Sequence, residues 1–181
     1  MSDGSPQFVE AGGGGRPFVG RARACGAIAA ALDEALTGRG RLLLLSGEPG
    51  IGKTRLCDEA TSVAAARAVP VVWGRCWEAG GAPAYWPWAE PLAALARGLD
   101  DINLGKVLGD GAGLMAVAVP TLRGRIAVAV SDALSPAPDE ARFPLWRAVE
   151  SLVRTAATPA GLVLVLEDLH AADEPSLLLL L

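Results

Sequence analysis

The stretch Gly47-Glu48-Pro49-Gly50-Ile51-Gly52-Lys53-Thr54 sets three glycines ahead of an adjacent Lys-Thr pair. These residue types suit one task, holding phosphate. The stretch satisfies the pattern G-x-x-x-x-G-K-[ST] without a mismatch. Gly47, Gly50 and Gly52 let the backbone take positive φ and approach an anion with no Cβ in the way. Loop N–H groups, and those of a helix starting at its end, then converge on the anion with help from the helix dipole. Lys53 would set a point charge against β- and γ-phosphates, and the Thr54 hydroxyl would ligate Mg2+. The expected nucleotide contacts are this whole loop, with Glu48, Pro49 and Ile51 between the glycines, and Arg55 in the turn after it.

A second set of chemical groups stands near the other end of the chain. Gly161-Leu162-Val163-Leu164-Val165-Leu166 is apolar and runs into Glu167-Asp168. Acids at the C-terminal end of a buried parallel strand lie where α/β sheets bind ligands. One carboxylate there can hold the Mg2+ shared with Thr54, and another can orient an attacking water. His170, the single histidine, reads as structural or supporting, because phosphoryl transfer to water depends mainly on positioning and charge.

Both sets need elements to place them. Arg41-Leu42-Leu43-Leu44-Leu45-Ser46 reads as a strand buried on both faces and leading into the loop. Beyond Thr54 no Pro or Gly occurs before Pro70, so a helix is expected to start there. Another helix is expected over about Arg21 to Leu36, with Ile28, Leu32 and Leu36 on one face and Gly38 and Gly40 as its stop. Val69-Pro70-Val71-Val72-Trp73-Gly74 is a second strand, with Pro70 near its start or on an edge. The third strand is 161–166. Between Cys76 and Trp88 four aromatics stand among small residues and prolines. They read as anchors of a loop on the core in preference to a stacking platform for a base. Residues 89–158 read as mostly helical, with 91–99 apolar at helical spacing, 100–120 weakly determined, and 122–134 a helix ended by Ser135-Pro136-Ala137-Pro138. A stronger helix opens near Asp139 or Glu140, with Leu145, Val149 and Leu152 as its stripe and Trp146 and Val153 beside it. Leu177 to Leu181 reads as the first turn of a buried helix.

Composition narrows the functional classes. The chain has 181 residues, 51% of them hydrophobic, and a net charge of −4, which suits one domain and disfavours nucleic-acid binding by this segment. Residues 1–15 are too polar and Gly-rich to pack and are expected to be disordered; 16–181 is the domain. Cys25, Cys57 and Cys76 form no C-x-x-C pair, so free thiols in a reducing compartment are expected. No signal peptide opens the chain and no apolar run approaches the roughly 18 residues of a membrane helix. A cytoplasmic protein is the expectation.

Four stretches together resemble one family: Phe18-Val19-Gly20-Arg21, the loop 47–54, Cys76-Trp77-Glu78 with Trp86-Pro87-Trp88, and Leu166 through Leu177. The family is the AAA-type ATPase domain at the head of large bacterial STAND regulators, including LuxR-type transcriptional activators and ATPase–cyclase fusions. The resemblance runs from about Pro17 to the end of the chain. It implies a P-loop NTPase of three α/β/α layers with a parallel sheet, and ATP and Mg2+ as ligands. In the implied sheet the third strand lies beside the second, and a strand bearing a polar sensor residue separates it from the phosphate-loop strand. Only strands one to three are visible here, so an incomplete domain, cut from a longer protein, is expected. The resemblance also places Val19, Gly20 and Arg21 beside the base or ribose, gives Glu167 the Mg2+ role, and gives Asp168 the activation of water. Related ATPases usually have Asp first in that pair, and often an aromatic where this chain has Ala171.

The function expected is Mg-ATP binding with slow hydrolysis, acting as a switch in a signalling or transcriptional regulator. The alternative is a nucleotide-binding module that hydrolyses nothing and completes its sheet through a partner or by self-association. A P-loop kinase acting on a small molecule is a third reading, disfavoured by the absence of an Arg-rich lid sequence.

Overall fold

The computed structural model describes residues 22–79, 81–126, 142–158 and 160–180. The tail 1–15, the contacts expected of Val19, Gly20 and Arg21, and the greater part of the helix expected over 122–134 lie outside these residues. The described start of that helix, 122–126, is not α-helical: Leu122 closes the 3-10 turn Pro120–Leu122, and turn residues follow.

The sheet is small. Strand β1 (Val71–Arg75) pairs in parallel with β2 (Val163–Glu167), with Val71 opposite Val163 and Arg75 opposite Glu167. Pro70 precedes β1, where its missing N–H costs nothing, and its carbonyl accepts from Val163 N at 2.9 Å. The pairing of these two strands is the adjacency that the resemblance implies. The expected phosphate-loop strand is not there. Residues 41–46 are neither strand nor helix, and Leu42, Leu43 and Leu44 are 73%, 46% and 75% exposed. The reading of that run as a doubly buried strand is therefore corrected, and the three expected strands become two. A strand exists only through its ladder, and among the described residues 41–46 pairs with neither strand of the two-stranded sheet.

The helices form the larger part. Helix α1 (Ala22–Leu36) buries Ile28 and Leu32 and lies against α2 (Lys53–Ala65). Helix α3 (Trp86–Ala96) begins earlier than the apolar run 91–99 predicts. Pro87 sits in its first turn, where Pro is tolerated. Pro91 has no N–H to offer the Pro87 carbonyl, and it is against that carbonyl that β1 packs. A Cβ on Gly74 would come within 1.9 Å of Pro87 O, so glycine is what lets strand and helix meet.

Residues 100–120, the weakly determined stretch, fold as α4 (Asp101–Leu108) and α5 (Ala112–Ala118) with the 3-10 turn Gly109–Gly111 between them. Asp100 caps α4, its Oδ1 accepting from Asn103 N at 2.8 Å. Gly111 permits a second close approach, since a Cβ there would lie 2.2 Å from Pro144 O of the next helix. That helix, α6 (Arg142–Ala156), buries Leu145, Val149 and Leu152 as its periodicity predicts. Leu92, Leu104, Met115 and Leu152 are almost wholly buried at the centre of this layer. A short α7 (Glu174–Leu178) follows β2, and Leu179 and Leu180 pack against the same core. Among the described residues no helix is long and apolar enough to cross a membrane.

Candidate functional site

The phosphate-loop residues form one local unit at the start of α2. Gly47, Gly50 and Gly52 have φ of 153°, 76° and 93°, the region that favours glycine. Gly52 is the N-cap residue and offers no side chain to the first turn, which leaves that turn's N–H groups facing outward from the helix end. Lys53 curls back over the loop, its Nζ donating to Gly47 O at 2.9 Å and to Glu48 O at 3.1 Å. Glu48 O also accepts from Ile51 N at 3.3 Å, with Pro49 and Gly50 making the turn between. Thr54 is exposed in the first helical turn, Arg55 follows it, and Leu56 pins the helix to the core.

The acids stand at the end of β2. Glu167 is its last residue and 8% exposed. Its charge is met by Arg75, the opposite residue on β1, whose Nε donates to Glu167 Oε2 at 3.1 Å and whose Nη2 donates to the same oxygen. The hydrogen bond and charge of Glu167 hold the Arg75 guanidinium still more firmly protonated. Asp168 turns out of the strand with φ 59°, and its Oδ2 lies 3.8 Å from Arg75 Nε. The two acids thus sit in different settings, one buried and hydrogen-bonded by Arg75, the other more exposed and at a longer distance from the same guanidinium.

The helix that the loop opens links it to the sheet. Helix α2 packs on both strands. Cys57, one turn along α2 from Lys53 and Thr54, has its thiol pushed up by burial first, then by the Glu167 carboxylate and by Asp58. Glu167 therefore acts electrostatically on the very helix that the phosphate loop opens.

The aromatic stretch divides. Trp88 is buried and its Nε1 donates to Ser176 O at 3.1 Å, tying α3 to α7 as an anchor should. Trp77 and Trp86 stay exposed and, with Cys76, Pro87 and Asp173, line a cavity of about 170 Å3. Asp173 is fully used as a cap, accepting from Ser176 N at 2.9 Å and Ser176 Oγ at 2.6 Å. His170 is not packed, as a structural role would require; it is exposed, with Nε2 3.2 Å from Glu78 Oε1.

Sequence reasoning missed Arg75 and Glu78. A signal was present: in parallel pairing, residues at the C-terminal end of one strand stand beside the acids at the end of its neighbour. The donor set suits nucleotide and metal. Positive-φ glycines, a helix N-terminus and an ammonium fit a polyphosphate, and the Thr54 hydroxyl and Glu167 carboxylate are hard oxygen donors of the kind Mg2+ takes.

No curated protein and no solved structure gives a significant match to the chain. The AAA ATPase domain family does, over residues 17–181, and that family is one of nucleotide binding. A glycine loop opening α2, paired strands of the implied adjacency and acids at their C-terminal end are what such a domain needs, and the chain belongs to the AAA ATPase domain family.

Proposed function

We propose that the domain binds Mg-ATP as a switch ligand, with slow hydrolysis resetting the switch, within a STAND-type signalling or transcriptional regulator. The carrying observation is the loop at the head of α2, where three positive-φ glycines and the Lys53 ammonium surround a helix N-terminus. Lys53 and the loop N–H groups hold the β- and γ-phosphates, with Arg55 beside them, and Val19, Gly20 and Arg21 attend the base or ribose. Thr54 and Glu167 hold Mg2+, which neutralises phosphate charge when bound. Asp168, the exposed acid, orients water. Arg75 and a metal draw on the same Glu167 carboxylate, so their charges compete there.

The unpaired run 41–46 favours completion of the sheet by a further strand, from later sequence of the same protein or from a second copy. Free Cys25, Cys57 and Cys76 suit a reducing cytoplasm. Titration calorimetry with Mg-ATP tests the site. Lys53→Ala is expected to abolish binding while leaving the helical circular dichroism unchanged; unaltered affinity would sink the assignment. Phosphate release at stoichiometric Mg-ATP separates a hydrolysing switch from the alternative, a binding module that turns nothing over.

A further inference from the structure

Parallel pairing with Arg75 opposite Glu167 makes the segments leaving β1 and β2 start side by side. Glu78 follows on the first and His170 on the second, each the same distance along the chain from its strand. Their side chains meet, with His170 Nε2 3.2 Å from Glu78 Oε1. Asp168 joins them: one donor atom from each of Glu78, Asp168 and His170 lies within 4.8 Å of the others. Small rotations of these exposed side chains bring such donors to the roughly 2 Å bonds of a transition ion.

We propose that Glu78, Asp168 and His170 form a second cation site, which takes a borderline divalent ion such as Zn2+ and is distinct from the Mg2+ position at Thr54 and Glu167. The imidazole decides the class of ion. Mg2+ prefers an all-oxygen shell and keeps its waters, whereas imidazole suits Zn2+, Co2+ and Ni2+. Two carboxylates balance a dication, and three protein ligands leave a position for water. A plain ion pair accounts for less, since an exposed His–Glu contact is worth little. Arg75 is the neighbouring cation; its hydrogen bonds go to Glu167, and it reaches Asp168 only as a longer ion pair of 3.8 Å, which a bound dication would replace. The nearby Cys76 thiol is pushed up by burial first and then by Asp168 and Asp173, which keeps it protonated and a poor ligand. Occupancy would withdraw Asp168 from water activation, a consequence that rests on the nucleotide reading although metal binding itself does not.

Cobalt titration of the untagged chain without nucleotide tests the site. A single Co2+ per chain is expected, with visible d–d bands, no thiolate charge-transfer band, displacement by Zn2+ and none by excess Mg2+. His170→Ala and Glu78→Gln should each abolish the spectrum. Both side chains are exposed, 71% and 65%, so these variants are expected to keep the parent circular dichroism. Lys53→Ala should bind cobalt as the parent does. Absence of saturable binding, bands that survive His170→Ala, or a thiolate band would overturn the proposal. A chain that binds cobalt but not ATP overturns the nucleotide reading alone; one that binds ATP but not cobalt overturns this one.

Discussion

The layer built from α3 to α6 and the run leading into the phosphate loop are both rich in leucine, and they end in opposite conditions. Leu92, Leu104 and Leu152 are almost wholly buried, whereas Leu42 and Leu44 stand mostly in water. The difference lies in the backbone. A helix satisfies its own N–H and C=O groups and needs only a cover for its apolar stripe, which neighbouring helices supply. An extended run must find a ladder, and no amount of side-chain hydrophobicity replaces one. The run that leads into the glycine loop is thus left without a ladder, whereas the helical layer is self-sufficient.

The contrast is sharpest where glycine lets two backbones touch. Gly74→Ala drives a Cβ into the Pro87 carbonyl, and Gly111→Ala drives one into that of Pro144; each is expected to cost about 3 kcal/mol as strand and helices are pushed apart. Leu44→Ser, on the exposed run, should cost less than about 0.5 kcal/mol. Urea midpoints followed by circular dichroism compare them, and a Leu44→Ser penalty matching that of Gly74→Ala would erase the distinction between the two regions.

Where the two strands end, the controlling contact is an ion pair and not packing. If Glu167 holds Mg2+ as proposed, Arg75 competes for its carboxylate, and Arg75→Ala should lower the Mg2+ concentration needed for half-maximal ATP binding. Magnesium titrations at fixed ATP read this directly. An unchanged midpoint would mean that Arg75 does not compete at that carboxylate.

The smallest expected effect belongs to the helical side. The backbone N–H of Asn103 is the main reason that the Asp100 carboxyl lies below its ordinary value of 3.8, with lesser help from the Asn103 amide, the Ile102 N–H and Lys106. Since the folded value is the lower, the capping contribution is complete above the ordinary one and fades as pH falls through the folded one. Asp100→Asn keeps a capping oxygen without the titration. Acid titration of helical signal should therefore be shallower for the variant below the ordinary value, and superimposable curves would argue against any role for this cap.

Much of the site was legible because short-range chemistry writes it. The loop 47–54, the helix after it and the acids at 167 and 168 follow from residue types whose local conformations are nearly forced, namely positive-φ glycines, a Lys-Thr helix start and an apolar strand ending in charge. The stripe of Leu145, Val149 and Leu152 was equally plain, being a local periodicity. Helix α4 was obscured by Gly105 and Gly109, although Asp100 and Asp101 at its start and Lys106 in its last turn were signals of its bounds.

The sequence by itself thus determined the glycine loop with its Lys-Thr helix start, the acids at the end of β2 and the helices whose hydrogen bonds are internal. Tertiary structure alone decided what depends on a partner distant in the chain. It set β1 beside β2 and so brought Arg75 onto Glu167 and Glu78 onto His170, and it left residues 41–46 outside the sheet. Helix geometry is closed within a few residues, whereas strand pairing is a property of two segments, and neither carries the register alone.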